Sequence, residues 1–255
     1  GRYMKDWFYA FFMAWGMFLA IPCPFPRWRE SARGRMLMCL PLIGLVEGGL
    51  WALLVWLLAK LCLPEALGAL CAAAFPWLVT GFLHLDGYMD VCDAVLSRRD
   101  LATRQKILKD SHCGAFAVIA MVLLALTQWI VCQSVSLNEI PLLPLAALPC
   151  AVRAAAALAV SHLRPLSTSQ YAAQPKPPAG HTAALWLMLT AACALPLISN
   201  GLAGSAPLVG AAGYGLAALF AFRQLDGMSG DVSGFALTLG ELAGLAFLFL
   251  TRYYL

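Results

Sequence analysis

The segment HLDGYMDVCD, residues 84–93, sets Asp86, Asp90 and Asp93 close together in a chain that is 62% hydrophobic and only 12% charged. At about 100° per residue, their spacing puts the three carboxylates within roughly 60° of one another on a single helix face. Partly removed from water, such anions repel, and they take up protons or bind cations. A hard divalent ion such as Mg2+ resolves the conflict, because it seeks oxygen ligands and combines one or two carboxylates with substrate phosphates. A solvated polar helix end would explain any one of these aspartates alone, but explains three on one stripe poorly.

A second acidic point follows. In ILKDSHCG, Lys109 and Asp110 precede the next apolar stretch, so the chain returns a carboxylate and a cation to the same level. Two antiparallel helices would then present Asp86, Asp90, Asp93 and Asp110 to one cleft, as candidate metal ligands and catalytic groups. That is equipment for phosphoryl-group transfer: bound metal neutralises a pyrophosphate and stabilises the departing phosphate while a hydroxyl attacks in line. Near the C-terminus, LDGMSGDVSG carries Asp226 and Asp231 among Gly227, Gly230 and Gly234. Those glycines would let backbone amides approach an anion, although a plain helix start capped around Asp231 accounts for the segment equally well in isolation. His84 and His112 flank the acidic clusters, suited to binding phosphate, to orienting a carboxylate or simply to an interfacial position. No Walker lysine and no Gly-x-Ser-x-Gly element is present.

The elements that must position these residues are membrane helices. A soluble domain is about half apolar and a quarter charged, and this chain lies far outside that range. Apolar runs of about 17–25 residues, enough to cross a bilayer core, are expected near 36–59, 66–84, 114–133, 140–160, 182–199, 206–222 and 232–251. The expected fold is all-α: a polytopic integral membrane helix bundle, one domain over 1–255, with about seven transmembrane helices. The N-terminal stretch WFYAFFMAWGMFLAIP is short, aromatic and followed by Pro22, Pro24 and Pro26, which suits an interfacial helix as well as a span. It lacks a small-residue cleavage site before the prolines, against a signal peptide.

Arg27, Arg29, Arg33 and Arg35 precede the first full span; Arg98, Arg99, Arg104, Lys106 and Lys109 follow the second; Arg164 and Lys176 follow the fourth, and Arg223 the sixth. These loops fall on one side, which the positive-charge bias makes cytoplasmic. The net charge of +4 thus speaks of orientation; no nucleic-acid module or basic face accompanies it. Nine cysteines, an odd number without a Cys-x-x-Cys pair, indicate neither a disulfide framework nor a zinc site and suit helix packing. Glu47, Arg153 and Glu241 fall within spans, where an ionisable side chain marks a site or a buried partner; Arg153 is expected to pair with one of the two glutamates.

The stretch GFLHLDGYMDVCDAVLSRRDLATRQKILKDSHCGAFA resembles the signature of the cobalamin (5'-phosphate) synthase family, also called adenosylcobinamide-GDP ribazoletransferases: G-x-x-H-L-D-G-x-x-D-x-x-D-G, a basic loop, then M-K/R-D-S-R-x-G. FPRWRE, RGRMLMCLPLIGLVEGG and LDGMSGDVSGFALTLGELAGL extend the likeness over nearly the whole chain. The resemblance implies a single integral membrane transferase domain that uses Mg2+ as cofactor. Its substrates would be adenosylcobinamide-GDP and α-ribazole or its 5'-phosphate, giving adenosylcobalamin or its 5'-phosphate and GMP. It implies attack by the ribazole 3'-hydroxyl on the phosphorus attached to cobinamide. The matched positions are His84, Asp86, Asp90 and Asp93, then Lys109, Asp110, Ser111 and Gly114, then Gly230, Asp231, Gly234 and Glu241. From these and the neighbouring His112, His84, Lys109, Ser111, His112 and Asp231 are expected to bind substrate, and Asp86, Asp90, Asp93 and Asp110 to hold metal and act in catalysis. The expected setting is the inner (cytoplasmic) membrane, multi-pass, with the site facing the cytoplasm, the lipid bilayer and a homo-oligomeric copy being the partners to consider.

The sequence departs from that pattern at Ala94, where glycine is usual, at His112, where arginine is usual, and at Asp226 and Ser229, where glycine and threonine are usual. A protonated His112 would restore part of a phosphate contact. A CDP-alcohol phosphotransferase is the nearest rival, but its Asp-Gly-x-x-Ala-Arg opening is absent: after Asp86 the chain reads DGYMDV. A cation transporter would use acidic groups near midplane on several spans, whereas these clusters stand at span ends beside a basic loop.

Overall fold

The computed structural model describes residues 2–173 and 177–255, and its regular elements there are helices joined by short 3-10 turns. They are α1 (Arg2–Phe18), α2 (Met36–Lys60), α3 (Glu65–Val79), α4 (Leu83–Leu96), α5 (Leu101–Ile107), α6 (Ala115–Gln133), α7 (Leu142–His162), α8 (His181–Asn200), α9 (Ala206–Leu225) and α10 (Gly230–Tyr254). Among the described residues, five stretches are long and apolar enough to cross a membrane, or six if the bent pair α3–α4 makes one span; the longest, His181–Leu225, contains both α8 and α9. The expected seven is reached only by counting those two separately and the bent pair as one span. At about 1.5 Å per residue, each of these two 20-residue helices is near 30 Å long, the thickness of a bilayer core.

Two expectations are corrected. The run expected to cross once, near 66–84, breaks: α3 ends at Val79, α4 starts at Leu83, and their axes differ by 89°. Gly81 (φ 60°) and Phe82 (φ 63°) both lie in the left-handed region, and the Thr80 hydroxyl donates to the Pro76 carbonyl at 2.8 Å. Hydropathy runs unbroken through this corner, so composition hides it. The basic loop after α4 is also not irregular throughout. It contains α5, capped by Asp100, which accepts from the Thr103 amide at 3.1 Å. Arg104 and Gln105 donate to the carbonyls of Gln224 and Leu225, satisfying orphan acceptors at the end of α9.

The core runs along α2, α7, α9 and α10. α2 and α7 cross closely where Gly48 meets the Ala146 backbone, the small-residue approach that membrane helices use in place of a hydrophobic driving force. Arg153 of α7 is fully buried and donates to both Glu47 of α2 and Glu241 of α10 (the latter at 2.6 Å), so the single pair expected from sequence is a three-helix bridge. α1 meets the end of the bundle where α2 begins and α3 stops. Asp6 pairs with Arg29 and Arg35 at 3.3 and 3.5 Å, and just past its other end the Ala20 amide donates to the Val79 carbonyl. α1 is not among the stretches that pass as spans, and having both ends at one level suits an interfacial helix. All nine cysteines are free.

Candidate active site

The acidic stripe forms on α4 as the helical period requires. Leu85, Gly87, Tyr88, Val91 and Cys92 are buried, while Asp86 is exposed and Asp90 and Asp93 are half-buried. Two neighbours clamp α4: Tyr88 donates to the Ala120 carbonyl of α6 at 3.2 Å and stacks on Phe235 of α10 with ring centroids 5.7 Å apart.

Asp231 completes the group. Ser229 caps α10, accepting from the Val232 amide at 3.2 Å, so Asp231 sits in the first turn with its carboxylate free of capping duty. A Cβ on Gly87 would lie 2.9 Å from the Asp231 Cα and 3.0 Å from its carbonyl oxygen. Only glycine lets α4 and α10 approach this closely, and the approach brings Asp231 within electrostatic reach of Asp86 and Asp90. Gly234 and Thr238 continue the seam against His84, whose carbonyl accepts from the Thr238 hydroxyl at 3.3 Å. Among the described residues, no cation pairs with Asp86, Asp90, Asp93 or Asp231.

The remaining expected residues divide. Asp93 points at the start of α6, where its two oxygens accept from the amides of Gly114 (2.5 Å) and Ala117 (2.9 Å). A Cβ at Gly114 would lie 2.5 Å from that carboxylate, which explains the glycine. Asp93 thus serves as a helix cap. Asp110 is not brought into the cluster either. Its exposed carboxylate is held by the amide and ring of His112, at 3.0 and 2.7 Å, and these contacts keep it below the usual carboxylate range. Ser111 and His112 are exposed at the rim. Lys109 lines a cavity of about 500 Å³ together with Gln105, Thr168, Ser169, Ser229 and Asp231. The imidazole Nε2 of His84 is buried and without a partner, and its ring stacks on Phe18 at 6.3 Å. Asp226 stands apart: it ends α9 in the left-handed conformation (φ 59°) and pairs with Arg164 at 2.5 Å. Lys176 lies outside the described residues.

Sequence reasoning missed Tyr171. It is within electrostatic reach of Asp231; desolvation, and then that charge, push its phenol up to about 12, so at neutral pH it is a hydrogen-bond donor. A lone tyrosine in a proline-rich loop gives no signal of this.

Among the described residues, no three His, Cys, Asp or Glu side chains converge as they would around a held ion. The donor set nevertheless fits Mg2+, which keeps several waters and needs only one or two carboxylates beside the substrate's phosphates. Asp86 and Asp90 on one helix and Asp231 on another provide hard oxygens without counter-charge.

A family model described as Cobalamin-5-phosphate synthase matches residues 10–249. An adenosylcobinamide-GDP ribazoletransferase of Clostridium perfringens (strain 13 / Type A) is 35% identical over 249 residues, 96% of this chain and 99% of the relative. One of Clostridium botulinum (strain Alaska E43 / Type E3) is 35% identical over 95% of this chain and 97% of its own. One of Geobacillus kaustophilus (strain HTA426) is 31% identical over 93% and 94%. No solved structure matches.

Proposed function

The chain belongs to the cobalamin-5-phosphate synthase family, and from that premise we propose that it is an adenosylcobinamide-GDP ribazoletransferase. It joins adenosylcobinamide-GDP to α-ribazole or its 5'-phosphate. The observation that carries the reading at the site is the facing of Asp86 and Asp90 across the Gly87 contact toward Asp231, unpaired and beside the Lys109 cavity. The ribazole 3'-hydroxyl oxygen bonds to the phosphorus attached to cobinamide, the bond from that phosphorus to the bridging oxygen breaks, and GMP departs with that oxygen. The hydroxyl proton passes to an aspartate of the cluster or to water.

Asp86, Asp90 and Asp231 would hold Mg2+, which when bound neutralises the pyrophosphate and favours departure of GMP. Lys109 and the hydroxyls of Thr168, Ser169 and Ser229 provide donors for the nucleotide phosphates along the Lys109 cavity. Tyr171 adds a neutral donor near Asp231. Asp93 and Gly114 fix the start of α6 against α4. A transporter reading finds no support in the buried acids: Glu47 and Glu241 are both engaged by Arg153.

The α5 residues Arg104 and Gln105 meet the end of α9, and Arg164 meets Asp226 there. The basic loops therefore share the end of the bundle that carries the acidic cluster, which supports a site facing the cytoplasm from the inner membrane. Purified protein given adenosylcobinamide-GDP, α-ribazole and Mg2+ is expected to release GMP, and to stop when chelator is added. Turnover undiminished in chelator removes the metal from the reading, and GMP release that does not require α-ribazole removes the transfer.

A further inference from the structure

The acidic cluster has a second cavity beside it, about 290 Å³ in volume, between the end of α1, the start of α2, the end of α7 and the chain that follows α7. The side chains that line it are of other types than those lining the Lys109 cavity. Phe18, Trp28, Leu37, Leu163 and Tyr171 are among its walls, and Arg33 is the one charged residue among the described residues lining it. Both cavities take walls from the same segment: Leu166, Thr168 and Ser169 face the polar one, and Leu163, Pro165 and Tyr171 face the apolar one. The apolar cavity reaches the chemistry by two contacts. Phe18 stacks on His84, two residues before Asp86, and Tyr171 is within electrostatic reach of Asp231.

Trp28 carries the argument further. Its indole N–H donates to Glu30 at 3.0 Å, yet the side chain is 55% exposed. A large aromatic surface oriented at a cavity wall and left open is suited to stacking on a flat ligand. A reaction that joins two bulky substrates at one phosphorus needs two compartments meeting at the reacting atoms, and of these two only the second is walled, among the described residues, by aromatic side chains. We propose that the apolar cavity binds the alkylated bicyclic aromatic base of α-ribazole, between Trp28 and Tyr171, and that Arg33, which pairs with Glu30 at 3.2 Å, turns to a 5'-phosphate when one is present. This rests on the ribazole-transfer reading. The volume agrees: ligand sites begin near 300 Å³, enough for such a base, whereas a corrin with its amide arms and adenosyl ligand is several times too large.

The test uses the full-length protein in detergent. α-Ribazole alone is titrated calorimetrically into wild type, Trp28→Ala and Trp28→Phe, and KM for each substrate is measured by GMP release. Loss of one stacking partner should raise both the α-ribazole Kd and its KM about tenfold in Trp28→Ala, a change of about 1.4 kcal/mol. Trp28→Phe should recover most of it, and KM for adenosylcobinamide-GDP should stay within about twofold of wild type. Arg33→Ala should weaken α-ribazole 5'-phosphate more than α-ribazole. An unchanged α-ribazole Kd in Trp28→Ala, or a loss that falls on adenosylcobinamide-GDP instead, overturns the assignment. A wild type that releases no GMP defeats the transfer reading; the α-ribazole titration then judges the cavity by itself, an unchanged Kd again overturning it.

Discussion

Gly87→Ala is a small change with a large expected effect on turnover. The added methyl would stand 2.9 Å from the Asp231 Cα and 3.0 Å from its carbonyl oxygen. Carbon atoms in contact prefer about 3.5–4.0 Å, so the deficit is roughly 0.6–1 Å. Both atoms it meets are backbone, so no side chain can swing aside; α4 and α10 must move apart. Overpacking of this kind costs about 1–3 kcal/mol, too little to unfold a bundle pinned elsewhere by the Arg153 bridge. The separation falls directly between Asp86 and Asp90 on one helix and Asp231 on the other. A misplacement of about 1 Å at reacting groups costs on the order of 100-fold in rate. The expected outcome is therefore a folded protein with kcat reduced about 100-fold and a raised Mg2+ requirement. The assay is GMP release across a Mg2+ series, with thermal unfolding in detergent alongside. Gly215→Ala is the control, since nothing lies within 4 Å of a Cβ there, and it should be unaffected. Wild-type kcat in Gly87→Ala would refute the claim that the α4–α10 contact sets the site.

Asp90→Asn keeps size and removes one of the facing charges; turnover should fall about 100-fold or more, since a metal supplies several kcal/mol to such a transition state, while thermal unfolding in chelator should be no easier than for wild type. Asp231→Ala should reduce kcat/KM far more than Asp226→Ala, because Asp226 is engaged by Arg164 outside the cluster; equal losses in two folded variants would contradict the assignment. Arg153→Met leaves two buried carboxylates without their cation and should destabilise by about 3–5 kcal/mol, read as a lowered unfolding midpoint.

Hydropathy made the membrane helices legible, and the period of 3.6 made the Asp86–Asp90–Asp93 face legible, because both are local properties. The corner at Gly81 and Phe82 was not, since the residues on either side are as apolar as a continuous span. The division of labour among the aspartates was hidden for a different reason. Asp93 caps a helix that starts more than twenty residues later, and Asp231 reaches Asp86 and Asp90 only because α10 returns against Gly87. Neither relation has a periodicity to betray it. The spacing that placed Asp110 opposite the stripe assumed a direct return of the chain. The inserted α5 and the His112 contacts hold that carboxylate outward instead. The glycines at 87 and 114 were visible as letters of a motif, but their purpose needed the partner backbone and carboxylate that each one admits.

The last helix shows how a membrane enzyme can hold carboxylates in register. Asp231, Gly234, Thr238 and Glu241 recur at steps of three, four and three residues, so they lie on one face of α10. In lipid, apolar side chains gain nothing by leaving one apolar medium for another, so helices are fixed by close backbone approach and polar contacts. This face uses both. Gly234 and Thr238 fit against the first turn of α4, and Glu241, about 15 Å along the axis from Asp231 at 1.5 Å per residue, is tied through Arg153 to α7 and α2. Sliding α10 by a single turn would break the buried bridge, leaving an uncompensated charge in the apolar core, at a cost of several kcal/mol. The same slide would carry Asp231 about 5.4 Å from its place beside Asp86 and Asp90. The Arg153 bridge therefore does more than hold three helices together: it sets the axial position from which Asp231 can meet the stripe on α4, and it links the membrane core to the chemistry at its surface.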